Sequence, residues 1–454
     1  MAPTPQATVV APPAPGLTSL DPLPHARVAS RFNALDIHFL FRAHLRLGAD
    51  SAKMVPSGIM RSPSLDTVRL IDDPAALPAL AAALVRERRL ALDSESDSFH
   101  HYEEQVCLLQ IATPTQTVLL DLLKLDHVEP LLPLFADPAI EKILHGADYD
   151  VRILGRDYGV AFAHLFDTMI AAQLLGLDAI GLGALVHRHF GVTLNKRFQK
   201  ADWTQRPLPP EMIQYAAEDT AYLLPLSDIL ARALEDKGRL VWLREECGRL
   251  AGLEAGARPA PSCFAVKGAG RLTPPQLAVL QALLEVRDEL ARAADRAPFR
   301  IVAPDVLLEL AQRQPDDLAA LSAVKGVSRR LIEMEGPRLL EAIRRAGALP
   351  PDKWPTRPRS AHTPLTQAQE DLLRRLKAVR QRHAERLKLN PGLLCSNSVM
   401  EGLVRMETSG ADAIAERLMP WRASILGEEF LSVLSAVSHA RARSRRADGS
   451  PSPR

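Results

Sequence analysis

From about residue 67 the apolar positions fall into short runs separated by polar turns. TVRLI (67–71) predicts a strand, and DDPAALPALAAALVRERR (72–89) predicts a helix, with acids at its start and arginines at its end as the helix dipole favours. LALDSESDS (90–98) predicts an apolar strand that ends in carboxylates, and VCLLQIAT (106–113) and TVLLDL (117–122) predict two more. VEPLLPLFADP reads as helical, EKILHGAD (141–148) as a short strand running into a turn, and DVRILGRDYG (150–159) as the start of a helix. Strands first, then strands alternating with helices, imply an α/β core with a mixed sheet flanked by helices.

Beyond FDTMIAAQLLG (166–176) the chain reads as mostly helical to CGRLAG (247–252). RPAPSCFAVKGAG (258–270) and PPDKWPTRPRSAHTP (350–364) read as linkers, rich in the residues that interrupt regular elements. Each is followed by a helical unit. LTPPQLAVLQALLEVRDELA and LTQAQEDLLRRLKAVRQRHA align without a gap over twenty residues, with apolar residues recurring at helical spacing, which indicates an internal duplication. The expected organisation is an N-terminal extension (1–62), an α/β domain (63–252), two all-α domains (268–348 and 365–440) and a solvated basic tail (441–454). The extension opens on a Pro/Ala-rich stretch that reads as disordered. Its segment 31–49 is amphipathic and arginine-bearing. It is read as an extension or a misassigned start, with Met54 or Met60 as the real one, against a targeting peptide.

Composition narrows the class. With 454 residues, two to four domains are expected. A net charge of only +2 means that any attraction to phosphates must come from local patches. The four cysteines stand far apart without a CxxC pair, which argues against a disulfide scaffold and a structural zinc site. No apolar run reaches the ~18 residues of a membrane span, so a cytoplasmic protein without a membrane partner is expected.

The chemistry concentrates in carboxylates. Asp93 and Glu95 are two apart on a strand and so share a face, where their mutual repulsion calls for a cation. An oxygen-only donor set suits Mg2+ or Mn2+. Asp150, in HGADYD, sits where a turn enters a helix, in competition with Asp148 and Asp157 and with an ordinary capping role. In QYAAEDTAYLL (214–224) Tyr215 and Asp219 lie one helical turn apart, so a phenol and a carboxylate share one face. Taken singly, each feature has an ordinary structural explanation. A glycosidase pair is excluded because its carboxyls must stand ~5–9.5 Å apart across the scissile bond.

Together, DSE, HGADYD with Asp150 55 residues after Glu95 and YAAED with Asp219 69 residues after Asp150 resemble the three exonuclease motifs of the DEDD superfamily, Tyr-containing branch. HGADYDVRILGRDYG, FDT (166–168), KADWTQRPLP (200–209) and YAAEDTAYLLPL (215–226) are similar to ribonuclease D and to exosome-associated exonucleases. The two helical units resemble HRDC domains, the first clearly through AVKGVSRRLIEMEGPRLLEAI (323–343) and the second loosely. The resemblance implies a ribonuclease H-like α/β exonuclease domain followed by two all-α HRDC-like domains. It implies two divalent cations, Mg2+ or Mn2+, held ~3.5–4 Å apart by Asp93, Glu95, Asp150 and Asp219. Tyr215 would orient the attacking water and help to deprotonate it. Ser94 stands where the family often has Thr, and its hydroxyl is expected to serve equally.

The implied substrate is a nucleic acid with a free 3′ end, RNA favoured, as in maturation of tRNA precursors. A DNA exonuclease and a catalytically dead binding scaffold are the alternatives, the latter opposed by retention of every carboxylate and of Tyr215. No P-loop occurs, so a fused helicase is excluded, and no obligate protein partner is evident. Candidate nucleic-acid contacts are Phe99 and Gln110 at the terminal nucleotide, Trp203 and Arg206 by stacking and phosphate contact, and Lys325, Arg329 and Arg330 beside the GVS turn. Trp203 has core packing as its alternative. His100, His101 and His145 are given no catalytic role, because Tyr215 fills that position. Removal of residues 268–454 is expected to weaken binding of long RNA more than hydrolysis of a short oligonucleotide.

Overall fold

The computed structural model describes residues 68–254, 256, 259–356, 364–406 and 410–447. The readings of the N-terminal extension and of the last seven residues lie outside the described residues.

Six strands form one mixed sheet in the order β1-β4-β3-β2-β5-β6: β1 Val68–Ile71, β2 Arg89–Ser96, β3 Val106–Ala112, β4 Thr117–Asp121, β5 Glu141–Leu144 and β6 Leu165–Asp167. The β2–β3–β4 meander is antiparallel, while β1 joins β4, and β5 and β6 join β2, in parallel. Every residue of β3 and β4 is buried, as expected of inner strands covered on both faces. Leu92, Ile111, Val118 and Leu120 enter the main core on one face. Leu108 and Leu119 enter a smaller core on the other, with Trp203, Leu208, Met212 and Tyr215.

Two sequence readings shift. The helix expected over 72–89 is a 3-10 turn, Pro74–Ala76, followed by Leu77–Leu84, and Arg89 already belongs to β2. The stretch from 166 opens on β6: Asp167 is extended (φ −97°, ψ 113°) and caps the helix Thr168–Leu175. A three-residue strand at a sheet edge is too short to show a period.

Two helical units follow the sheet domain along the chain. The first has its own apolar core, which includes Leu280, Leu283, Leu307, Leu310 and Leu339. Cys263 and Ala269, from the segment read as a linker, are buried in that core, and Cys263 N donates to Gln281 Oε1 (2.9 Å). The second unit does not stand apart. Leu376, Leu403, Trp421, Leu426 and Phe430 belong to the same apolar cluster as the main core of the sheet domain.

Candidate active site

Strand register decides which side chains meet. Asp93 stands opposite Gln110, and Gln110 opposite Leu119, while Glu95 stands opposite Leu108. Asp93 and Glu95 therefore share the face of the smaller core, which the helix Pro210–Ala221 covers. That helix carries Tyr215 and Asp219 one turn apart. The result is a group of three carboxylates, Asp93, Glu95 and Asp219, each offering an oxygen within 4.8 Å of the others.

Asp150 approaches from the opposite side. After β5 the chain turns at Gly146, whose φ of +75° favours glycine, and enters the helix Asp148–Tyr158. Asp150 is buried in the first turn of that helix rather than capping it, where the dipole favours a negative charge. Ser94, on the face of β2 away from Asp93, donates through Oγ to Asp150 Oδ1 (2.5 Å). Asp148 is exposed and pairs with Arg152, and Asp157 pairs with Arg156, so neither competes for the site.

The sequence reading missed the group that places Asp150. Asp167 is buried and accepts four backbone hydrogen bonds, from Gly146 N (3.0 Å), Ala147 N (2.8 Å), Met169 N (2.8 Å) and Ile170 N (3.1 Å). One carboxylate thus caps the helix that follows it and pins the turn that delivers Asp150. The FDT motif carried the capping half of this signal, and the other half spans 21 residues.

The electrostatics are those of anions crowded together. Desolvation, then Asp150 and Asp219, raise the Asp93 carboxyl well above its usual range. Glu95 is raised likewise, by desolvation and then by Asp93 and Asp219. Desolvation pushes Asp219 up to about 7, against the opposing hydrogen bond from Tyr215, and Asp150 up to about 6, against that from Ser94. Desolvation and the carboxylates push the Tyr215 phenol up, so its hydroxyl keeps its proton and donates to Asp219. This favours orienting a water over deprotonating one.

A divalent cation suits the donor set, which is all oxygen and repulsive until neutralised. Gln110, directly across from Asp93 on β3, is buried with neither amide atom hydrogen-bonded. Asp93, Glu95 and Asp219 would hold one cation. Asp93 lies within the electrostatic reach of both Asp150 and Asp219.

The raised values have a consequence for stability. Each acid is more basic folded than unfolded, so its favourable contribution is present near pH 4 and is lost as pH rises through the folded values of about 6 and about 7. In EDTA, the melting temperature of the wild type relative to Asp150→Asn/Asp219→Asn is expected to fall between pH 5 and pH 7.5. A relative rise over that range contradicts the crowded-anion account.

The remaining candidates separate. Gln110 is buried in the inner strand β3 and exposes no surface. Trp203 is 1% exposed, packed 5.9 Å from Tyr215 and so part of the core. Arg206 is turned inward onto Asp121. Phe99 is exposed on the β2–β3 loop, edge-on to Phe299 at 6.2 Å. Lys325, Arg329 and Arg330 are exposed on the first helical unit, with Arg329 paired to Glu333. His145 binds Thr168 Oγ1 (2.9 Å), while His100 and His101 reach Lys200 O and Asp295, away from the carboxylates.

Comparison with known proteins agrees with this geometry. A family model described as 3′-5′ exonuclease matches residues 68–235, and one for the HRDC domain matches residues 276–343. The chain is 30% identical over 373 residues to ribonuclease D of Pseudomonas paraeruginosa, covering 82% of this chain and 98% of that protein. It is 34% identical over 294 residues to Protein RRP6-like 1 of Arabidopsis thaliana, covering 61% of this chain and 46% of that longer protein. The crystal structure of Escherichia coli RNase D, described as an exoribonuclease involved in structured RNA processing, superposes with a TM-score of 0.59 at 26% identity. That superposition covers 81% of this chain and 99% of the other.

Proposed function

The chain belongs to the ribonuclease D and RRP6-like family of DEDD 3′→5′ exonucleases, and from that premise we propose that it removes nucleoside 5′-monophosphates one at a time from the 3′ ends of structured RNA. The observation that carries this reading is the carboxylate group of Asp93, Glu95 and Asp219 with Tyr215 one turn from Asp219.

The group would hold two divalent cations, Mg2+ or Mn2+, with Asp93, Glu95 and Asp219 around one and Asp93 with Asp150 around the other. Bound there, they supply Lewis acidity toward a water and the phosphate. The residues of the chain do the positioning. The Tyr215 hydroxyl, anchored on Asp219, orients the attacking water in line with the terminal phosphodiester. Ser94 and Asp167 keep Asp150 in place. Lys196, Arg197 and Lys200 are exposed on the segment that delivers Phe198 onto Tyr215, a source of the local positive charge that the overall charge lacks.

We read the second helical unit as a diverged HRDC-like copy of the first. Among the described residues each has five helices in one order: Pro274–Ala293, Pro298–Ile301, Pro304–Arg313, Leu318–Ser322 and Arg329–Gly347, against Gln367–Leu387, Pro391–Leu394, Asn397–Arg405, Ala411–Arg417 and Pro420–Ala447. Both begin with a Thr/Gln capping box, Thr273 with Gln276 and Thr366 with Gln369. All four cysteines are buried free thiols, which suits the reducing cytoplasm.

The substrate assignment is tested by chromatography of the products from matched RNA and DNA oligonucleotides. Ribonucleoside 5′-monophosphates released faster than their deoxy counterparts are expected. Faster release from DNA moves the assignment to DNA repair.

A further inference from the structure

Arg206 carries a surface-binding residue's chemistry but not its geometry. Its Nε donates to Asp121 Oδ2 (2.6 Å) and its Nη2 to Asp121 Oδ1 (2.6 Å) and to Cys107 O (3.2 Å). Its Nη1 donates to Trp203 O and to Gln205 O, both at 2.8 Å. A guanidinium has five N–H donors, and all five are engaged, so none is left for a phosphate. Asp121, the last residue of β4, is 0% exposed.

The clamp ties three segments together: the end of β4, the start of β3 at Cys107, and the loop 203–206. What that loop holds is the catalytic tyrosine. Trp203 packs at 5.9 Å and Phe198 edge-on at 5.8 Å against the Tyr215 ring, inside the core that lines the Asp93 face of the sheet. The chain of contacts runs from Asp121 through Arg206 and Trp203 to Tyr215, whose hydroxyl meets Asp219.

We propose that Asp121 and Arg206 are positioning residues for the reaction, and that their planar, two-pronged pair sets the ring of Tyr215 against Asp219 through Trp203. The role rests on the exonuclease reading above, in which Tyr215 orients the water. A rigid fork suits this task better than a flexible ammonium, because two parallel hydrogen bonds fix an angle as well as a distance. The pair also accounts for the burial of the Asp121 carboxylate.

The test is a double-mutant cycle on a 5′-labelled oligonucleotide in Mn2+: Arg206→Lys, Tyr215→Phe and the two combined, with Trp203→Phe as a second probe of the same contact. Hydrogen exchange over 198–208 is measured alongside. Arg206→Lys is expected to lower kcat roughly tenfold to a hundredfold, as small misplacements at a reacting centre do, with KM little changed and faster exchange in the loop. In the Tyr215→Phe background the same substitution is expected to change kcat less than about twofold, because residues that act as a unit are not additive. Equal losses in both backgrounds overturn the proposal, and a loss confined to KM returns Arg206 to substrate contact. Should Arg206→Lys not fold, Trp203→Phe carries the cycle with the same criteria. Wild-type cleavage that Asp93→Ala abolishes keeps the exonuclease reading intact, so a failed cycle then counts against the positioning pair alone.

Discussion

Asp93→Asn is expected to lower kcat on a labelled oligonucleotide by at least about a thousandfold, the loss of several kcal/mol of transition-state stabilisation that a missing metal ligand entails. The same substitution is expected to raise the melting temperature of the metal-free protein at pH 7.5. Both effects have one cause. Asp93 faces Asp219 and Asp150 across a desolvated site, and its carboxyl is raised well above its usual range. An amide of the same shape removes one of the repelling charges and with it the cation that the charges require. Function here costs stability, as is usual where like charges are gathered for binding. The melting shift that Mn2+ gives the wild type, a mass-action effect of binding the folded state, is expected to shrink sharply in the variant. An inactive variant that is less stable than the wild type in EDTA would point to a folding defect instead.

Trp421→Ala is expected to lower the melting temperature of the whole chain by on the order of 10 °C, from a loss of about 3–5 kcal/mol. Trp421 stacks on Trp242 at 4.8 Å and donates through Nε1 to the buried Glu246 (2.8 Å), which Arg422 also reaches at 2.6 Å. Arg239 joins the same seam by donating to Leu174 O (2.7 Å) and Leu387 O (2.9 Å). At Gly176 (φ +76°) a Cβ would stand 2.1 Å from Lys388 O, so the two backbones meet where only glycine fits. The second helical unit is therefore a buttress of the exonuclease core. That changes the expectation for truncation. Removing residues 364–454 strips apolar surface from the main core, and hydrolysis of a short oligonucleotide is expected to fail together with long-RNA binding. A truncated chain that melts at the full-length temperature and still cleaves the short substrate would contradict this.

The site was legible in the sequence wherever its geometry is local. Asp93 and Glu95 follow from the two-residue period of a strand, and Tyr215 with Asp219 from the four-residue spacing of a helix. Both pairs lie in the same element in the structure. What lay beyond reading was contact between distant elements. Asp167 serves Gly146 and Ala147 across a turn that no local period marks. Arg206 has a side chain typical of a phosphate ligand, and only the buried Asp121, 85 residues earlier, shows where it points. Gln110, a candidate for the terminal-nucleotide pocket, occupies an inner strand. The docking of the second helical unit was hidden for a related reason. A helix with apolar residues on two faces looks the same whether the second face meets its own domain or another, and the partners Glu246 and Trp421 are 175 residues apart.

The most direct test of the central claim is a gel assay with an RNA oligonucleotide labelled at its 5′ end, run in Mn2+, in Mg2+ and in EDTA, with Asp150→Ala beside the wild type. The account predicts a ladder that shortens from the 3′ end, needs the divalent cation and disappears in Asp150→Ala. Full-length RNA that stays bound but uncut under every metal, or a ladder of equal strength in Asp150→Ala, would contradict it.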